Sequence, residues 1–285
     1  MIWPQALVAE LAARRCIVFL GSGASAGCVS EASSQTPPTW RELLDLTMGL
    51  MDAGQDRDTV EHLLASERYL DAAEIMLDII PRADFSTFIR EQFVVPRYKH
   101  SEIHEAVLRI DPKIVITTNY DDIYDNFCRQ GLARDGYVVC KYSSDNLVTH
   151  LRSPARLIIK AHGCVSDPNR IVLTRSHYFT ARKNHSNFYH VLDALFVTNT
   201  LFFVGYSLSD PDVQLVLENV NIAASNSNPH YAFIPNGMHQ SIERAIAKTY
   251  NINFIHCQPG DYDKMLNDLQ ELAEQVEHLR EANPS

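Results

Sequence analysis

Two polar segments, each placed directly after an apolar stretch, carry side chains that suit acid–base and hydrogen-bonding chemistry. The first contains Asn119, which can orient a water or a sugar hydroxyl, and Asp121, which can accept a hydrogen bond from an amide. The second contains His162, and a histidine can serve as a general base near neutral pH. Each also has a structural interpretation, because Asn and Asp are favoured helix N-caps and many histidines are core residues.

Three further segments suit the binding of a nucleotide. The sequence Gly-Ser-Gly-Ala-Ser-Ala-Gly spans 21–27, where glycines would let a phosphate approach the backbone at the start of a helix. A tight structural turn is the alternative. Later in the chain, Gly205 would permit close approach of a ligand, and Ser207 can donate to a phosphate or ribose. Asn236 would bind a ribose or form a turn. The candidate binding residues are Gly21, Ser22, Gly23, Ala24, Ser25, Gly205, Ser207 and Asn236.

The glycine spacing differs from that of NAD-dependent dehydrogenases. It reads G-x-G-x-x-x-G instead of G-x-G-x-x-G. No second strand ending in an acid follows about 20 residues later, as ribose recognition in those enzymes requires. Hydride transfer is therefore the weakest of the nucleotide-dependent functions for this chain.

The polar segments follow short apolar runs that predict buried β-strands. The runs lie at 16–20, 113–117, 157–160, 201–204, 231–234 and 252–255. Helical patterns separate most of them, at 121–130, 186–198, 210–224, 238–249 and 261–281. This alternation predicts an α/β fold with a doubly wound, Rossmann-like parallel sheet. Ligands bind at the carboxyl ends of such strands, so the positions of the polar segments are as informative as their residue types.

Apolar residues recur at helical spacing from about 38 to 110, and no strong strand pattern interrupts them. It predicts a helical subdomain inserted into a single domain of residues 1–285. A C-terminal helix is predicted at about 261–282, with apolar residues at alternating steps of three and four from Tyr262 to Leu279. This stripe favours packing on the same domain, and a contact between subunits is the alternative.

The composition indicates a globular protein whose surface as a whole does not bind nucleic acid. The 285 residues include 25 Lys and Arg against 35 Asp and Glu, a net charge of -10. Six scattered cysteines form no C-x-x-C pair, so we predict no metal site, no disulfide framework and a reducing, cytoplasmic location. The start Met-Ile-Trp-Pro lacks a basic targeting region, and the apolar runs are too short for a membrane span.

The ordered combination of G-S-G-A-S, T-T-N-Y-D, K-A-H-G and F-V-G-Y-S-L-S-D-P-D resembles the sirtuin family. It is most similar to the bacterial sirtuin-like domains of anti-phage defence systems. The resemblance runs from about residue 16 to 255 and is weakest over 29–112. It implies a sirtuin-type sheet that binds NAD+ as a substrate. Residues 21–25 would cradle the pyrophosphate, and Gly205 and Ser207 would contact the adenosine side, helped by Asn236.

The same resemblance implies three catalytic residues. Asn119 would position the nicotinamide ribose and the attacking water, Asp121 would hold the nicotinamide carboxamide, and His162 would be the general base. Protein-deacetylating sirtuins carry four zinc cysteines between these motifs, whereas residues 163–204 contain only Cys164. The departure favours cleavage of NAD+ by water over protein deacylation.

The resemblance therefore implies an NAD+ glycohydrolase that releases nicotinamide and ADP-ribose. NAD-dependent protein deacylation and non-catalytic sensing of NAD or ADP-ribose are the alternatives. A constantly active enzyme of this kind would be toxic, so we expect control by homo-oligomeric assembly or by a protein partner. In the family such partners include an ATP-driven DNA translocase and an Argonaute-like module.

Overall fold

A computed structural model describes residues 2–130, 137–224 and 228–283 of the chain. Within these residues, seven parallel strands form one sheet in the order β3-β4-β2-β1-β5-β6-β7. The strands are β1 (Cys16–Leu20), β2 (Ile114–Thr117), β3 (Tyr137–Lys141), β4 (Arg156–Lys160), β5 (Thr200–Val204), β6 (His230–Pro235) and β7 (Ile252–Cys257). The sheet confirms the predicted α/β fold.

Helices connect the strands and cover both faces of the sheet. They are α1 (Gln5–Ala12), α2 (Ser22–Ser25), α3 (Trp40–Met48), α4 (Gln55–Ala65), α5 (Tyr69–Ile79), α6 (Arg82–Phe93), α7 (Glu102–Ile110), α8 (Ile123–Arg129), α9 (Leu147–Leu151), α10 (Arg175–Asn184), α11 (Ser186–Thr198), α12 (Pro211–Ala223), α13 (Gln240–Tyr250) and α14 (Tyr262–Ala282). A 3₁₀ turn, Pro168–Arg170, precedes α10. In the described part of the chain, no helix is both long and apolar enough to cross a membrane.

Both faces of the central strand β1 are buried, which explains its uninterrupted apolar sequence. Ile17 and Phe19 belong to one core cluster, whereas Val18 and Leu20 belong to a second cluster on the other face. β1 pairs with β2 on one side and with β5 on the other. The strand order therefore reverses beside β1, and α/β proteins bind their ligands at the carboxyl ends of strands at such a point.

One strand, β3, is absent from the sequence prediction. Its sequence Tyr-Val-Val-Cys-Lys lies at the edge of the sheet, beside β4. Val138 and Val139 are only half-buried, because an edge strand has a neighbour on one side. The six predicted strands correspond to β1, β2, β4, β5, β6 and β7.

The helices between β1 and β2 divide into two groups by their packing. Helices α3 to α6 share a core cluster, which includes Leu44 and Met76 and reaches Tyr120 after β2. Helix α7 instead packs with α1 and α14 in the cluster under the sheet. Within the predicted α14 stripe, Leu269, Leu272 and Val276 are buried in that cluster and pack on their own domain, whereas Tyr262 at the start of the stripe is 65% exposed.

The start of α7 contains a buried histidine that accepts a backbone hydrogen bond. His104 Nδ1 accepts from the Ser101 N–H (3.1 Å), and the Ser101 hydroxyl donates to the Ala24 carbonyl (3.1 Å). His104 is 1% exposed. Burial, assisted by the nearby His100, lowers the pKa of His104 to about 3. The neutral imidazole therefore keeps its acceptor across the physiological pH range.

Replacing His104 with Gln is expected to weaken the dependence of stability on pH. The unfolded chain gains a proton at this histidine near pH 6.5, whereas the folded chain gains it only near 3, so stability falls as the pH drops below 6.5. Between pH 8 and pH 6 the loss is about 1 kcal/mol. Gln keeps a capping-box acceptor without titrating. Urea unfolding of both proteins at the two pH values measures the difference, and equal pH dependences would contradict it.

Candidate active site

A cavity opens at the carboxyl edge of the sheet, where the segments after β1, β2, β4 and β5 meet the start of α3. Its volume is about 730 Å³, including the part open to solvent. Six of the residues predicted from the sequence line it: Ser22, Ser25, Asn119, Asp121, His162 and Ser207. Four segments that are distant in sequence therefore form one site.

The other predicted residues do not line the cavity. Four lie behind its wall, where two backbone segments pack together: Gly21, Gly23, Ala24 and Gly205. Asn236 is exposed beyond the end of β6, and its N–H donates to the Cys257 carbonyl (2.9 Å). The contact between Asn236 and a ribose stays a prediction.

The glycines of these segments allow two loops to touch. The Gly23 N–H donates to the Gly205 carbonyl (2.9 Å), and Gly205 has a φ of +61°. A Cβ added to Gly205 would lie 2.3 Å from the Ala24 nitrogen, and one added to Gly21 would lie 2.3 Å from the Gly205 oxygen. Only glycine permits this approach, because any side chain would displace the facing backbone.

Three backbone amides of the first segment are hydrogen-bonded within the protein. Gly21, Gly23 and Ala24 all donate their N–H groups to carbonyls of the protein. The Gly21 and Gly23 amides join this segment to the end of β5 and the loop after it, whereas the Ala24 amide donates within the segment, to the Gly21 carbonyl. Ser22 and Ser25 line the cavity, and binding of a pyrophosphate by residues 21–25 stays a prediction.

Asn119 and Asp121 are tied to the first segment by hydrogen bonds. Asn119 Nδ2 donates to the Gly21 carbonyl (2.9 Å), which leaves the Asn119 amide oxygen for a ligand. Asp121 Oδ2 accepts from the Ser25 hydroxyl (3.1 Å), and Oδ1 accepts from the Ile123 N–H (3.0 Å). Burial raises the pKa of the Asp121 carboxyl group. Both oxygens of Asp121 thus align this loop, and its contact with a carboxamide stays a prediction.

A buried lysine neutralises the carboxylates behind the site. Lys160 is 1% exposed, and its ammonium donates to the Asp121 carbonyl. Its Nζ lies 3.3 Å from Asp122 Oδ1 and 3.5 Å from Asp125 Oδ2. Burial lowers the pKa of Lys160, but the carboxylates of Asp125, Asp122 and Asp121 outweigh it and raise the pKa above its ordinary value. Lys160 therefore stays charged and joins the end of β4 to the loop after β2.

Lys160→Met is expected to lower the free energy of unfolding by about 3–5 kcal/mol, because buried carboxylates would lose their counter-charge. Lys141→Met is the matched control: Lys141 is opposite Lys160 in the β3–β4 register, but its contact with Ser166 is exposed. The control substitution should lower the free energy of unfolding by about 1 kcal/mol or less. Urea unfolding followed by circular dichroism measures both losses. Equal losses would contradict the buried network.

His162 lines the cavity beside a carboxylate. Its Nε2 lies 3.3 Å from Asp210 Oδ2, although the residue is only 4% exposed. The Tyr178 hydroxyl donates to the same oxygen (2.6 Å), and the Tyr178 ring packs edge-on against the imidazole. The other oxygen of Asp210 caps α12 by accepting from the N–H groups of Asp212 and Val213 (3.0 Å each).

Sequence reasoning missed the surroundings of His162. It did not select Asp210 as a site residue, although an acid so soon after β5 is a signal of one. It did not consider Tyr178, which lies on α10, a helix that was not predicted. It also missed the apolar wall of the cavity, which includes Trp40 and Phe93.

In residues 2–130, 137–224 and 228–283, no group of three or more histidine, cysteine or acidic residues is arranged to hold a metal ion. All six cysteines are buried as free thiols. Cys140 and Cys257, for example, belong to the clusters that cover the two faces of the sheet. The cysteines therefore serve as small core side chains.

A doubly wound parallel sheet with a cavity at the carboxyl ends of its strands defines a Rossmann-like α/β protein. Within this class the chain belongs to the SIR2-like family, because residues 113–255 match the SIR2-like domain. The match confirms the resemblance to sirtuins. It includes the loops that carry Asn119, His162 and Asp210.

Three relatives are similar over about half of the chain. Defense-associated sirtuin 2 of Bacillus subtilis is 26% identical over 156 residues, which is 54% of this chain and 15% of that protein. The NAD(+) hydrolase ThsA of Acinetobacter baumannii (strain 532279) is 25% identical over 130 residues, 45% of this chain and 26% of that protein. The ThsA of Enterococcus faecium is 26% identical over 136 residues, 47% of this chain and 28% of that protein. The matched part thus spans less than a third of each relative.

Proposed function

We propose that this chain is an NAD+ glycohydrolase that acts as an effector in bacterial anti-phage defence. The observation that carries the proposal is that Asn119 and His162, from loops after different strands, line one cavity together with Ser22 and Ser25. Relatives named NAD(+) hydrolase and defense-associated sirtuin support the substrate and the setting. The products would be nicotinamide and ADP-ribose.

Hydrolysis breaks the bond between ribose C1′ and the nicotinamide nitrogen, and the electron pair leaves with the nicotinamide. Positive charge develops on the ribose, as in other glycosidic cleavages. No general acid is needed, because the leaving group departs from a pyridinium as a neutral base. The site must therefore stabilise the ribosyl cation and hold a water close to C1′.

Two side chains would meet these needs. The amide oxygen of Asn119 accepts a hydrogen bond from the attacking water, since the Asn119 Nδ2 is held by the Gly21 carbonyl. His162 takes the proton that the water loses as its oxygen bonds to C1′. His162 then returns this proton to solvent, so NAD+ and water yield nicotinamide, ADP-ribose and a proton.

The rest of the dinucleotide would lie along the first segment and the loop after β5. Ser22 and Ser25 offer hydroxyls to the pyrophosphate. Ser207 lines the cavity with its hydrogen-bonded neighbour Ser209 (2.6 Å), and the pair offers hydroxyls to the adenosine side. The apolar wall at Trp40 offers a surface to an aromatic ring of the substrate.

His162→Ala and Asn119→Ala are each expected to reduce nicotinamide release from NAD+ by about 100-fold or more, because the base or the water-orienting group is lost. Chromatography of the reaction with purified protein measures the nicotinamide. His190→Ala, an exposed position on α11, is the control and should keep the wild-type rate. Full turnover in either site variant, with the fold intact by circular dichroism, would contradict the assignment.

Two other activities would give distinct results with the same protein. Release of O-acetyl-ADP-ribose from an acetylated lysine peptide would identify a protein deacylase. Saturable binding of NAD+ without cleavage, even with partner proteins present, would identify a sensing module.

We further propose that the activity is controlled in the cytoplasm by self-assembly or by a partner, such as an ATP-driven DNA translocase or an Argonaute-like module. Unregulated loss of NAD+ would be toxic to the cell that makes the enzyme. We therefore expect nicotinamide release to rise when the chain assembles. Size-exclusion chromatography with light scattering, run beside the NAD+ assay, measures both properties. A monomer that is fully active without additions would argue against this control.

A further inference from the structure

We propose that Asp210 is a positioning residue that stabilises the positively charged imidazole formed when His162 takes the proton from water, and that Tyr178 holds Asp210 in place. The inference rests on the proposed hydrolysis, because it assigns a task within that reaction. Asp210 would thus act on His162 as well as cap α12, and the Tyr178 hydroxyl would fix the orientation of the Asp210 carboxylate.

The first argument is the geometry of the pair. Asp210 Oδ2 lies 3.3 Å from His162 Nε2, and the two side chains are 9% and 5% exposed. Proton transfer from water places a positive charge on a buried ring, which is costly unless an opposite charge is close. A buried carboxylate at this distance is weakly screened and therefore offsets much of that cost.

The second argument is that Asp210 is held rigidly. Its Oδ1 accepts from the N–H groups of Asp212 and Val213, and its Oδ2 accepts from the Tyr178 hydroxyl. The carboxylate thus points at His162 before any reaction takes place. Groups fixed in this way stabilise a developing charge without having to reorganise.

The third argument is that, among the described residues, no lysine or arginine is paired with Asp210. Its hydrogen bonds come from neutral donors, a phenol and two peptide N–H groups. The neighbouring acid, Asp212, is instead paired with Arg182 of α10 (2.8 Å). The tyrosines of the cavity stay neutral, because burial raises the pKa of Tyr120, Tyr178 and Tyr206. Asp210 is thus the acid whose charge remains available to His162.

The Asp210→Asn variant removes the negative charge of residue 210 but keeps a side chain that can cap α12. Asn is as good an N-cap as Asp, so α12 should keep its start while the carboxylate is lost. We expect kcat for nicotinamide release to fall by about 100-fold or more, with KM changed by less than about twofold and the melting temperature unchanged. Tyr178→Phe keeps the ring, loses one hydrogen bond to Asp210 and should lower kcat by about 3- to 10-fold.

Asp261→Asn is the matched control. Asp261 caps α14 by accepting from the Lys264 N–H (3.0 Å), but it does not line the cavity. This variant should keep the wild-type kcat. The proposal is overturned if Asp210→Asn keeps at least half of the wild-type kcat, or if it loses activity only through a higher KM or a lower melting temperature.

A proton NMR spectrum tests the same contact without turnover. The buried Nε2–H of His162 should donate to Asp210 and give a downfield resonance that exchanges slowly with water. The resonance should vanish in His162→Ala and Asp210→Asn and remain in Asp261→Asn. Its absence from the wild type would overturn the inference even if NAD+ is cleaved. Its presence in a protein that does not cleave NAD+ would support the contact and contradict only the hydrolysis.

Discussion

The arrangement of the site depends on the buried ammonium of Lys160. A buried cation without partners is strongly unfavourable, so the carboxylates of 121–125 must gather around it. Because Lys160 ends β4 and its partners follow β2, this requirement fixes two neighbouring strand ends relative to each other. Asn119 and His162 each lie two residues along the chain from a member of this ion cluster, which joins the loops that carry them.

The opposite side of the cavity is organised by the start of α12. Asp210 caps this helix with one oxygen and faces His162 with the other, so a local requirement of the helix also places a charge in the cavity. Helix α10 reinforces the arrangement, because Tyr178 and Arg182 lie one turn apart and contact Asp210 and Asp212. A substitution at position 210 therefore affects both the cap of α12 and the charge beside His162.

Strand-end positions are predictable because they depend on local patterns. A continuous apolar run predicts a buried strand, and polar residues after it lie at the carboxyl edge, which is how Asn119 and His162 were identified. The order of the strands depends on the whole chain. Asn236 also follows a strand, but β6 is separated from β1 by β5, and the residue lies outside the cavity. Tyr178 was missed because no nearby pattern shows which helix residues face another loop.

The contact between the Gly23 and Gly205 loops also determines when a growing chain acquires its site. Strand β1 leaves the ribosome before its neighbour β5, which follows only after β2, β3 and β4. A nascent chain that has not released β5 has no Gly205 against the first segment and no Asp210 beside His162. Partly synthesised chains therefore lack a complete cavity.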